Sequence, residues 1–144
     1  MRSFVLAATV LAGLQLGAFE AWSQSINIIG NWACRATVSG GAGKAAALRF
    51  RVTLLRSGRF RARGIAANQT TARQKPRQFR FVAQGDWRIV RARGGRALAM
   101  LGTMRPPNGP IASPFTFGSY IRGPRAMSHR RAKGGRTVTS QCRR

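Results

Sequence analysis

Acidic side chains are nearly missing from this chain. Its 144 residues include only Glu20 and Asp86, set against 26 Lys and Arg and one His, for a formal net charge of +24. Hydrolysis by paired carboxylates cannot be assembled from that inventory. A zinc site normally takes three or four His, Cys or carboxylate ligands. If the two Cys pair with each other, His129 and Asp86 are what remains after residue 23. A Ser-His-Asp set is available by arithmetic alone. There is no Gly-x-Ser-x-Gly elbow, however, and His129 lies in the basic run Ser128-His129-Arg130-Arg131. The expectation is a protein without catalysis, metal or cofactor.

Long apolar runs are scarce as well. The one that exists, residues 4–19, follows Arg2 and spans about 16 residues, short of the roughly 20 that cross a bilayer. Ala21-Trp22-Ser23 then places small residues at −3 and −1 before Gln24. This pattern is that of an export leader, residues 1–23, followed by a single domain over 24–144 with no membrane span of its own. The expected location is the periplasm or the extracellular space. In such an oxidising compartment the two cysteines, Cys34 and Cys142, read as a disulfide. Closing a loop of that length stabilises a chain by about 4–5 kcal/mol in the chain-entropy model.

Helical periodicity is missing too, apart from residues 42–47, which would suit one helical turn. Alternation dominates instead. Leu48-Arg49-Phe50-Arg51-Val52-Thr53-Leu54 leads through Arg56-Ser57-Gly58 into Arg59-Phe60-Arg61-Ala62-Arg63-Gly64. A three-residue loop pairs Leu54 with Phe60, Val52 with Ala62 and Phe50 with Gly64, keeping apolar residues on one face. It also puts Gly58 where the loop needs a left-handed residue. The same register sets Arg51 against Arg63, with Arg49 and Arg61 nearby on the outward face.

Further strands are expected at 77–83 and 87–91, separated by a turn at Gly85-Asp86-Trp87. Gly94-Gly95 reads as a two-residue turn into 97–101, which pairs Ile89 with Met100. A proline-rich loop spans 105–114, and strands follow at 115–121 and 137–142. Short strands at this spacing, with glycine turns and no βαβ rhythm, indicate an all-β domain, an antiparallel barrel or sandwich. Gly30-Asn31-Trp32, opening a β-rich exported domain with a near-terminal Cys, resembles the first strand of lipocalin-like barrels. Small exported bacterial inhibitors of metalloproteases share a similar barrel with one disulfide. The resemblance implies that Trp32 plugs the barrel base and packs against the strand carrying Cys142.

The basic residues carry the functional signal. Arg outnumbers Lys 23 to 3, and guanidinium groups suit bidentate contacts with phosphate or carboxylate. Arg49, Arg51, Arg61 and Arg63 form one expected contact row. Arg122, Arg125, Arg130, Arg131, Lys133 and Arg136 form another, in a segment read as a loop, and Arg73, Lys75 and Arg77 enrich a third stretch. Phe50 and Phe60 fall on the face opposite the arginines, which disfavours base stacking and favours plain polyanion attraction. The expected partner is an anionic envelope component such as lipopolysaccharide, or an acidic protein, with nonspecific nucleic-acid binding in addition. Two alternatives stand beside this. One is a carrier with a cavity lined by Phe50, Phe60, Ile89 and Met100. The other is an exported protease inhibitor acting through the 105–114 loop or the N-terminal segment.

Overall fold

A computed structural model describes residues 27–40, 45–69, 73 and 75–144, and the expected leader lies outside them. Among the described residues every regular element is a strand: β1 (Gly30–Ser39), β2 (Ala45–Leu54), β3 (Arg59–Gln69), β4 (Arg77–Ala92), β5 (Gly95–Arg105), β6 (Ser113–Gly123), β7 (Ala126–Lys133) and β8 (Arg136–Arg143). Each pairs antiparallel with the next, and β8 returns to β1, so the sheet closes on itself as a barrel. Closure covers most of the edge that an open antiparallel sheet would leave, with β6 and β7 paired only at Tyr120–Ser128, Ile121–Met127 and Gly123–Ala126. Cys34 and Cys142 face each other across β1 and β8 and are joined by a disulfide, which links the first and last strands covalently.

Alternation decides which side chains fill the barrel. Trp32, Phe50, Val52, Leu54, Phe60, Phe81, Leu98, Met100, Phe115 and Phe117 point inward and are buried, while the intervening arginines stay exposed. Phe50 sits edge-on to Phe81, Phe115 and Phe117, with ring centroids at 6.3, 5.7 and 5.2 Å. Phe60 packs on Phe115 at 5.5 Å. Such aromatic pairs contribute about 0.5–1.5 kcal/mol each beyond their buried area. The four side chains expected to line a carrier's cavity pack instead into this core, with Phe50, Phe60 and Met100 buried and Ile89 partly buried against them.

The β2–β3 hairpin has the expected three-residue loop and register: Leu54 opposes Phe60, Val52 opposes Ala62, and Phe50 opposes Gly64. Gly58 adopts φ 81°, a value that disfavours a side chain. Elsewhere the structure corrects the sequence reading. Residues 77–92 form one strand, not two, because Gly85 is a crossing point and not a turn. It opposes Phe60 on β3 and Gly102 on β5, and a Cβ there would lie 2.1 Å from the Leu101 carbonyl oxygen.

The β4–β5 turn is Arg93-Gly94, two residues earlier in sum than expected, so Ile89 opposes Leu98 and Trp87 opposes Met100. Parity is unchanged, and the same side chains remain inward. A Cβ on Gly94 would lie 2.9 Å from the Tyr120 ring, so this turn position has room for glycine only. Residues 45–47 extend β2 and are not helical; 42–44 lie outside the described residues. The basic stretch 126–133, read as loop, is strand β7.

Trp32, expected at the barrel base, and Trp87, expected at a turn, both lie at the end of the barrel that carries the β2–β3 turn. Trp32 is 2% exposed, donates from Nε1 to the Ile28 carbonyl at 2.8 Å, and carries the Arg144 guanidinium over its ring at 5.2 Å. Arg144 in turn donates to the carbonyls of Asn27 and Ile29. Trp87 clasps the β2–β3 turn through Nε1 to the Leu55 carbonyl and through its backbone N–H to Gly58.

Candidate polyanion-binding face

Because residues opposed across an antiparallel ladder share a face, the outward arginines align in rows. One row runs Arg143, Ala33, Arg51, Arg63, Val82, Arg105 across β8, β1, β2, β3, β4 and β5. The next runs Gln141, Arg35, Arg49, Ile65, Arg80. On the other side lies Asn31, Thr53, Arg61, Gln84, Thr103. The four arginines expected from the hairpin thus share one face, and Arg35, Arg80, Arg105 and Arg143 join them. Alternation already marks Arg80 as outward between Phe79 and Phe81. What the sequence does not show is which strands flank the hairpin, and hence that β8 and β5 bring Arg143 and Arg105 alongside.

Adjacent strands lie about 4.8 Å apart, and successive outward residues about 6.7 Å apart along a strand. Arg51 opposite Arg63, and Arg35 opposite Arg49, therefore place two guanidinium groups within reach of a single phosphate, sulfate or carboxylate. No carboxylate lies in these rows. Asp86, the acidic residue among those described, opposes Arg59 and pairs with it at 3.0 Å, with both side chains more than half exposed. An exposed pair of this kind contributes at most about 1 kcal/mol. Among the described residues the other arginines of the face have no carboxylate paired with them.

Two clefts open on this face, of about 690 and 1040 Å³, and they share Ala33, Arg51, Arg63, Val82 and Arg143 in their lining. Pro107, from the β5–β6 loop, borders the larger one. Ala33, Val82 and the 43%-exposed Ile65 supply apolar ground between the cations. The arrangement can hold several anionic groups at once, each by paired N–H donors, over a surface that also accepts hydrocarbon.

The second expected row does not exist as a row. Arg122 and Arg125 lie where β6 passes into β7, whereas Arg130, Arg131 and Lys133 follow β7 toward the opposite end, and Arg136 opens β8 across the Gly134-Gly135 turn. Arg122 donates to Ser128 Oγ at 3.3 Å and stands 5.1 Å over the Tyr120 ring, which lies tilted by 51° against His129 with centroids 5.2 Å apart. Arg73 and Lys75 are exposed between β3 and β4, and Arg77 begins β4. The β5–β6 loop named for an inhibitor carries Ile111 at 74% exposure. At the end of the barrel away from Trp32, an apolar cleft lined by Val38, Leu48, Phe79 and Met104 measures about 240 Å³. That is below the range of about 300–1,000 Å³ usual for small-molecule sites. Among the described residues no group of three or more His, Cys, Asp or Glu could hold a metal ion, and no helix is long and apolar enough to cross a membrane. Compared with known proteins, the chain matches no family model, no curated protein and no solved structure.

Proposed function

We propose that this is an exported, non-catalytic binding protein that holds an anionic polymer of the cell envelope against the outer face of β8 and β1–β5. The observation that carries the reading is the opposed pairing of Arg51 with Arg63 and of Arg35 with Arg49 within rows that contain no carboxylate. Like charges directly opposed destabilise a sheet, so a bridging anion relieves a cost the fold otherwise bears. A solvated surface with no partner would ordinarily mix both signs. Exposed Ile65 and half-buried Val82 between the arginines favour a phosphorylated amphiphile such as lipopolysaccharide over a bare phosphodiester chain.

The test is retention of residues 24–144 on immobilised lipopolysaccharide, peptidoglycan, DNA and heparin across a salt series. Retention on one envelope polymer beyond physiological salt supports the proposal. Equal retention on all four, lost together as salt rises, refutes it, because attraction through charge alone is lost steeply with salt on any polyanion.

A further inference from the structure

The barrel is closed unevenly. β7 pairs along its whole length with β8, from Ala126 opposite Arg143 to Lys133 opposite Arg136. With β6 it pairs only at Tyr120–Ser128, Ile121–Met127 and Gly123–Ala126, where the register shifts between Ile121 and Gly123. Meanwhile β6 stays paired with β5 from Tyr120 back to Ser113. Residues 113–119 of β6 and 129–133 of β7 therefore have a ladder partner on one side only, among the described residues. At the closed end of this seam Ser140 Oγ, from β8, donates to the Gly118 carbonyl at 2.9 Å and lies 3.1 Å from Ser119 Oγ. A side chain there takes the place of a strand. Beyond it the seam opens toward the Gly134-Gly135 turn.

We propose that the open edge of β7 is a strand-addition site for an extended, acidic polypeptide segment. Three features lead there. The edge offers backbone donors and acceptors in a strand whose other side is held by β8, so it is ordered before any partner arrives. Five residues extend about 17 Å, enough for a short added strand. The side chains set the partner's sign, since Arg130, Arg131 and Lys133 are exposed on β7 and Arg136 faces Lys133 across the turn.

A second copy of this chain is a poor occupant: its net charge of +24 would bring like cations together along the new ladder. Basic residues on an edge resist self-pairing, and against an acidic strand the same residues attract. The seam lies across the ring from the β2–β3 hairpin, so it is separate from the Arg51–Arg63 pair, although β8 beside it also carries Arg143 of the polyanion face.

The probe is a synthetic ten-residue peptide that alternates Asp or Glu with Val or Thr, offered to residues 24–144. A second peptide of identical sequence and charge, N-methylated at alternate residues, cannot complete a ladder. The expected result is at least tenfold tighter binding of the unmodified peptide, with slowed hydrogen exchange of amides in 129–133. Equal binding of both peptides, no binding of either, or protection confined to the Arg51–Arg63 face would overturn the proposal. A seam proposal that failed in this way would leave the retention series on envelope polymers unaffected.

Discussion

Arg51 and Arg63 stand directly opposite one another on β2 and β3, both exposed and both on the outer face. The inward partners of the same two strands are Val52 with Ala62 and Phe50 with Gly64, and a one-residue slip of this register would turn the apolar set outward. The fold therefore imposes the like-charge contact as the consequence of a good core.

Replacing Arg49, Arg51, Arg61 and Arg63 together by Gln is expected to weaken polyanion binding and to lower its log–log salt slope by about one per arginine lost. The domain should remain folded, since none of the four is buried. Isothermal titration across a salt series, with circular dichroism as the folding control, measures both. Unchanged affinity would remove these arginines from the site.

Arg51→Gln alone is expected to stabilise the free domain at low salt by a few tenths of a kcal/mol, because it removes one opposed pair. Added salt should raise the Tm of the parent more than that of the variant. Thermal unfolding of both proteins at two ionic strengths decides the matter, and an equal salt response would mean the pair carries no strain.

Gly85 and Gly102 oppose each other, and a Cβ on either would lie 2.1 or 2.0 Å from a backbone carbonyl oxygen of the neighbouring strand. Backbone cannot move aside as a flexible side chain can. Gly85→Ala is expected to cost at least about 3 kcal/mol, in the range of severe packing faults, read by urea denaturation. A loss below 1 kcal/mol would mean the strands can separate there cheaply. Gly95→Ala meets no neighbouring atom, yet its φ of 115° confines the effect to backbone strain of about 1–3 kcal/mol.

Cys34 and Cys142 close a sequence separation of 108 residues. Replacing both by Ala is expected to lose about 4 kcal/mol, measured by chemical denaturation. The loss should be felt first at the β1–β8 seam, where hydrogen exchange in 136–143 would rise ahead of that in β2 and β3.

Phe50 touches three other rings. Phe50→Ala should therefore destabilise by about 3–5 kcal/mol, which denaturant unfolding will show. A smaller loss would point to an interior able to collapse onto the gap.

Much of this molecule was settled by local pattern. Strict alternation in 48–64 set the hairpin, its loop length and the outward Arg49, Arg51, Arg61 and Arg63, because inverting a period of two would expose every apolar residue. The cysteine pair at the chain's ends, in a segment following an export-like leader, read as a disulfide that ties first element to last. The near-absence of Asp and Glu left no pair of carboxylates for hydrolysis after residue 23. Tertiary structure alone decided the rest. Gly85 looks like a turn in the chain and serves instead as the point where strands nearly touch, a requirement that appears only once Leu101 and Gly102 lie beside it. Residues 126–133 carry too many charges to read as a strand, and pairing with β8 makes them one. The neighbours of the hairpin, and so Arg143 and Arg105 in its row, follow from barrel closure. Closure joins residues from opposite ends of the chain, and no local pattern encodes that.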